Sequence, residues 1–138
     1  MKNRFLSLIS LLLALAVIVL EILPFGAVLN FAAPPGSSMT TRYTYSYFDL
    51  LPFGYANFGP LLTAVLSVAI LILTIVSLFV KNRPALILAR TVLLGISVVT
   101  SLMPLTFGVN YFTVIAVCIS VLTVLHSLIS VITLKYKE

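Results

Sequence analysis

Ile22-Leu23-Pro24-Phe25-Gly26-Ala27-Val28-Leu29-Asn30-Phe31 opens, and Leu50-Leu51-Pro52-Phe53-Gly54-Tyr55-Ala56-Asn57-Phe58-Gly59-Pro60 closes, a long stretch that interrupts an otherwise apolar chain. Proline stops a helix, glycine turns the chain, and asparagine flanked by aromatics suits a membrane–water boundary. The wording returns loosely at Met103-Pro104-Leu105-Thr106-Phe107-Gly108-Val109-Asn110-Tyr111-Phe112. These segments are expected to lie at one surface, held there by apolar helices.

Outward from that stretch the composition leaves little choice of solvent. Of 138 residues, 62% are hydrophobic and 8% are charged, and the mean hydropathy is +1.26. Such values lie outside the soluble globular range. The apolar residues fall into runs at about 5–23, 61–80, 85–103 and 111–134. A run of about 19 residues, rising 1.5 Å each, is roughly 28 Å long and crosses a hydrocarbon core. The first run is read as a retained transmembrane helix; a signal peptide, with Ala32-Ala33 mimicking a cleavage site, is the rival, but its apolar region would be too long. The expected fold is an all-α membrane protein, a single domain over 1–138: an antiparallel four-transmembrane-helix bundle. Residues 24–60 form an external cap between the first two helices.

Basic residues set the expected orientation. Lys2, Arg4, Lys81, Arg83, Lys135 and Lys137 fall on one side, Arg90 is close enough to snorkel towards it, and Arg42 alone is opposite. Under the positive-inside rule both chain ends lie in the cytoplasm, in a multi-pass protein of the plasma (inner) membrane. The formal net charge of +5 does not point to nucleic acid, because the cations sit at helix ends and not along an aromatic-interleaved stripe. The one cysteine, Cys118, lies inside an apolar run, so an intrachain disulfide is impossible.

Within the cap, Tyr43, Tyr45 and Tyr47 alternate with Thr44 and Ser46, the period of a strand. Ala27 to Phe31 is the expected partner, joined through Pro34-Pro35-Gly36-Ser37-Ser38, in a small β-hairpin; a coil in the headgroup region is the alternative. The recurring Pro-Phe-Gly wording is also compatible with two tandem helix pairs, or with convergence on good interface residues.

Small and hydroxylated residues recur at helical spacing. The packing seam is expected to include Ser10 and Ala14 on the first helix, Ser67 and Thr74 on the second, and Ser120, Thr123 and Ser127 on the fourth. In lipid such residues let backbones approach and let hydroxyls bond across the seam. A packing core is preferred to a polar conduction path.

Glu21 near the outer end of its helix is costly unless paired or wetted. It defines a candidate polar or ion site with Arg42, Asp49, Asn30, Asn57 and Asn110 as neighbours. A structural role, pairing with Arg42 or with hairpin amides, is preferred to a cation or proton site. His126 is a conceivable relay, and a neutral role beside Thr123 or Ser130 is preferred. No metal-ligand spacing, nucleophile–base pair, phosphate loop or dinucleotide motif is present, so no cofactor, metal or catalysis is expected.

The layout of four spans, a long first external loop with strand character and a short second one resembles the claudin type of tetraspan. The family's external tryptophan and paired cysteines are missing here, since the chain has no Trp and Cys118 lies in the fourth run. Small multidrug transporters share four spans and an acidic residue in the first, but Glu21 sits at the end of its helix. In size and composition the chain is most similar to small four-span membrane proteins of bacteria. The expected role is that of a non-enzymatic interaction, structural or accessory protein. Its partners would be the bilayer, another membrane protein or a second copy, engaged through the cap or the helix faces. The alternative is a small transporter or channel component using Glu21.

Overall fold

The structure, a computed structural model, describes residues 2–37, 39–80 and 84–136, residues 2–4 by backbone alone. In chain order it contains α1 (Lys2–Ile22), β1 (Ala27–Phe31), β2 (Thr41–Tyr45), α2 (Leu50–Gly54), α3 (Gly59–Phe79), α4 (Pro84–Leu102) and α5 (Val114–Lys135). Two 3-10 turns, Met103–Phe107 and Val109–Tyr111, join α4 to α5. Among the described residues α1, α3, α4 and α5 are the helices long and apolar enough to cross a membrane.

These four close into a ring in which α1 packs on α3, α3 on α4, α4 on α5 and α5 on α1. Neighbours run antiparallel. Val17 late in α1 packs with Ala116 early in α5 while Ser10, further back in α1, meets His126 further on in α5, and Gly59 at the start of α3 meets Thr100 at the end of α4. Polarity is inverted relative to a soluble bundle. Leu12, Val19, Val65, Ile72, Val92, Val99, Val121 and Leu128 face outward, while Ser10, Thr63, Ser67, Thr74, Ser97, Ser101, Thr123 and Ser130 are buried. Water would favour the reverse, whereas hydrocarbon rewards apolar exteriors and satisfied polar interiors. Four helices of this length with this inside-out polarity suggest a multi-pass membrane protein.

The hairpin forms as expected, with Ala27 opposite Tyr45, Leu29 opposite Tyr43 and Phe31 opposite Thr41. Its strands are unequal: Ala27, Val28 and Leu29 are buried, and Thr41 to Thr44 are exposed. The alternation does not carry through to Tyr47. β2 ends at Tyr45, and the chain turns so that Tyr47 enters the bundle.

The three similar segments adopt three conformations. The first becomes a bend and β1, the second becomes α2 and its exit turn, and the third becomes the 3-10 turns. The connection between α1 and α3 and that between α4 and α5 thus share wording but not conformation. The fourth long helix starts at Val114 and not at Tyr111, because Pro104 lacks a backbone N–H, Gly108 takes φ 120°, and Thr113 caps the new helix. Thr113 Oγ1 accepts the Ala116 N–H at 3.1 Å and donates to the Gly26 carbonyl at 2.9 Å. One hydroxyl thus starts α5 and fastens the cap to it.

The side chains of Lys2, Arg4, Lys81, Arg83 and Lys137, on which the expected orientation leans, lie outside the described residues, as does Ser38 of the hairpin turn. Arg90 is described, and it does not snorkel. It is buried at 2% exposure, with Nε donating to Ser130 Oγ at 3.2 Å.

Ser120 faces inward at 6% exposure, while its neighbour Val121 is 53% exposed. Ser120→Leu should destabilise the bundle by about 1–3 kcal/mol through overpacking. Val121→Leu, which only adds a methylene on the bundle exterior, should leave the melting temperature in detergent unchanged.

Candidate functional site

Polar side chains converge in the bundle interior because each helix repeats them every three or four residues, the spacing that places them on one face. On α1 this face carries Ser10, Ala14, Val17 and Glu21, all buried. On α3 it carries Thr63, Ser67, Ile70 and Thr74, and on α5 Ala116, Ile119, Thr123, His126 and Ser130. Of the expected seam, Ser10, Ala14, Ser67, Thr74, Ser120 and Thr123 are buried, and Ser127 is half-buried. α4 supplies a comparable face, with Ile87, Arg90, Leu94, Ser97 and Ser101. The same three- and four-residue spacing is present in its sequence, with Arg90 at one of the inward positions.

Glu21 has no exposed surface. Its Oε1 accepts from Ser67 Oγ at 2.7 Å, whereas Oε2 has no protein partner. Its backbone carbonyl, one of those a helix end leaves free, accepts the Tyr47 N–H at 2.9 Å. The expected partners are elsewhere. Arg42 is exposed on β2, opposite Asn30. Asp49 Oδ1 caps α2 by accepting the Leu51 N–H at 2.9 Å. Asn110 is exposed. Asn57 donates through Nδ2 to the Val28 carbonyl at 3.3 Å, so it and Asn30 belong to the cap. The physical reason is the face of α1 on which Glu21 lies: it points to the bundle axis, and the loop residues stay above it.

Tyr47 lies over this end of the axis. Its ring is fully buried and packs with Val17, Ala27, Ala64, Ala116 and Ile119. The alanines leave room for a ring, and Gly26 approaches so closely that a Cβ there would lie 2.8 Å from it. Burial, reinforced by the nearby Glu21 carboxyl, pushes the Tyr47 phenol up. Its hydroxyl has no protein partner. No periodicity in the sequence marks Tyr47 apart from Tyr43 and Tyr45; Gly26, Ala64 and Ala116 were the available signals.

Beneath Glu21 a cavity of about 10 Å³ is lined by Ala14, Ser67, Leu94, Ser97, Thr123 and His126, among others. That is room for about one water molecule. Ser97 Oγ, on its wall, is buried without a partner. Beyond the cavity, His126 Nε2 and Ser10 Oγ are 2.6 Å apart, so histidine pairs with α1 and not with Thr123 or Ser130. Arg90 is close enough to act on His126 electrostatically. Ser130 Oγ also meets Thr91 Oγ1 at 2.7 Å. Two polar clusters therefore occupy the axis, one around Glu21 and one around His126, with the small cavity between them.

The chain matches no protein-family model, no curated protein and no solved structure. Four membrane-capable helices with a hairpin between the first two are consistent with a tetraspan layout, and no match to a known family supports a claudin-type relation. Among the described residues no group of His, Cys, Asp and Glu is placed to hold a metal ion. Chemically, the axis offers hydroxyls bonded to helix carbonyls or to one another, a Ser97 hydroxyl and one carboxyl oxygen left over, and a roof.

Proposed function

We propose that this chain is a non-enzymatic membrane protein of the plasma membrane, an interaction or accessory subunit whose closed bundle holds a rigid external cap. Its two chain ends face the cytoplasm, as the distribution of basic residues favours. The observation that carries the reading is the closure at the capped end: Glu21 and Tyr47 are both fully buried, and Tyr47 is held by its N–H on Glu21. A transport path needs a wetted vestibule beside its ionisable group. Here the space below Glu21 amounts to about 10 Å³. In lipid, hydroxyl pairs such as Thr63 with Thr100, 2.9 Å apart, hold helices in register without a hydrophobic drive between them.

A second reading, a small proton- or cation-coupled carrier, is favoured by one observation, the Oε2 of Glu21 that no protein group satisfies. The two separate in proteoliposomes. Wild-type protein should show no pH- or cation-driven flux above that of empty vesicles. Glu21→Gln, which retains an acceptor for Ser67, should shift the melting temperature by a few degrees and leave the flux at that background. Robust flux in the wild type, lost in Glu21→Gln with the fold intact, would sink the accessory reading.

A further inference from the structure

The hairpin has one covered edge and one open edge. Asn57 Nδ2 donates to the Val28 carbonyl at 3.3 Å, and a strand residue sends its N–H and C=O to the same side. Val28 therefore faces away from β2, so Ala27, Leu29 and Phe31 are the residues that bond across to Tyr45, Tyr43 and Thr41. The Gly26 N–H, which meets the Tyr45 carbonyl at 3.1 Å, agrees with that phase. On β2 the alternate residues, Arg42 and Thr44, then direct their backbone groups to the far edge. The sheet has two strands, and among the described residues no other segment bonds to those groups. Thr41 to Thr44 are exposed. Proline, lysine, a bulge or a covering segment commonly blunts such an edge, and Met39 to Ser46 contains neither proline nor lysine.

We propose that this edge pairs with the same edge of a second copy, β2 against β2 and antiparallel, so that two hairpins join into one four-stranded sheet. Strand addition satisfies bare backbone groups, and a two-stranded hairpin by itself is marginal in water. The phase restricts the register. Only outward-pointing residues bond, so the twofold axis falls on a residue and not between two. An axis on Tyr43, the middle of β2, overlaps the strands fully. It sets Arg42 opposite Thr44 in both directions, and every outward N–H and C=O of the two residues finds a partner. An axis on Arg42 would set two guanidinium groups opposite each other, which is unfavourable. An axis on Thr44 would pair Arg42 with Ser46, beyond the end of the strand. Tyr43, 50% exposed, then meets its own copy across the axis. The pairing rests on the reading of the cap as the part that engages a partner. The flux measurement tests that reading separately, since Arg42 and Thr44 lie on the exterior.

The test uses the full chain with Cys118→Ala, which removes its free thiol, in membranes of the expressing cells under mild oxidation. Tyr43→Cys should give a disulfide-linked homodimer, identified by mass spectrometry. Facing residues of a non-hydrogen-bonded antiparallel pair have Cα atoms about 4.5 Å apart, within disulfide reach. Ser37→Cys, exposed in the hairpin turn and far from the axis, should cross-link at least ten times more slowly. Thr44→Pro removes an N–H that points to the open edge and spares those that bond β1, the placement a sheet tolerates. Light scattering in detergent should then give a dimer for the wild type and a monomer for Thr44→Pro. Diluted until both are monomeric, the two should melt at the same temperature. Equal cross-linking at Ser37→Cys and Tyr43→Cys overturns the register, and a lower melting temperature for dilute Thr44→Pro overturns the phase on which it depends. A monomeric wild type, a dimer that survives Thr44→Pro, or a Tyr43→Cys adduct to a different protein overturns the pairing with a second copy.

Discussion

Tyr47→Ala should be the most damaging substitution in the cap, lowering stability by about 3–5 kcal/mol, the cost of emptying a buried aromatic site. The ring fills a socket made by Ala27, Ala64 and Ala116 with Gly26 against it, and these small residues cannot fill the space it would leave. Loss of the ring also leaves the fully buried Glu21 without its cover. Tyr47→Phe separates packing from the hydroxyl. Because Oη has no protein partner, its removal should cost less than about 1 kcal/mol and can even stabilise, since a buried unsatisfied group is itself unfavourable. The phenol adds a pH signature. Its folded pKa is raised, so the folded protein holds that proton more tightly than the unfolded chain. The associated stability is complete below the ordinary phenol value of about 10 and declines as pH rises above it. Unfolding in detergent across that range should show the decline in wild type and less of it in Tyr47→Phe.

Gly59→Ala and Gly95→Ala should have opposite signs. A Cβ on Gly59 would lie 2.8 Å from the Thr100 carbonyl oxygen, 2.9 Å from Met103 Cβ and 3.0 Å from Pro104 Cδ. Those atoms are a backbone oxygen, a Cβ fixed to the backbone and a proline ring carbon, tied into the end of α4 and the following 3-10 turn, and they cannot step aside as the far end of a flexible side chain would. Separation of α3 from α4 should cost about 1–3 kcal/mol, and the Thr63–Thr100 contact of 2.9 Å should lengthen with it. Gly95 sits inside α4 with nothing within 4 Å of the added atom. There alanine's better helix propensity should stabilise by up to about 1 kcal/mol. Thermal unfolding of the two variants beside wild type reads both effects.

Much of this architecture was legible because long apolar runs simplify the sequence. The four apolar runs became α1, α3, α4 and α5 within a few residues, and the pairing of Ala27–Phe31 with the tyrosine-rich segment followed from turn residues and period. The seam was legible for the same reason, since in lipid the small and hydroxylated face is the packed one. What escaped was long-range and depended on depth. Arg90 reads as a terminal cation until α5 brings Ser130 against it. His126 reads as lone until Ser10, 116 positions away in sequence, meets it. The cluster expected around Glu21 did not assemble, because a loop asparagine near a helix end in sequence is free to anchor the hairpin, as Asn57 does on Val28. Tyr47 could not be separated from Tyr43 and Tyr45 by pattern, since its burial is decided by Gly26, Ala64 and Ala116 on three different elements.

Tyr47 closes the bundle over Glu21, and the accessibility of Ser67 reports on that closure. Ser67 Oγ lies 2.7 Å from the Glu21 carboxyl and is buried at 6% exposure. Ser67→Cys is a near-isosteric probe in a background where the exposed Cys118 is replaced by alanine. Ser37→Cys, exposed in the hairpin turn, serves as the control. A membrane-impermeant thiosulfonate reagent applied to intact cells should modify Ser37→Cys readily and leave Ser67→Cys unmodified. Adding Tyr47→Ala should make Ser67→Cys reactive. Modification of Ser67→Cys at the rate of Ser37→Cys while Tyr47 is in place would contradict the closed bundle.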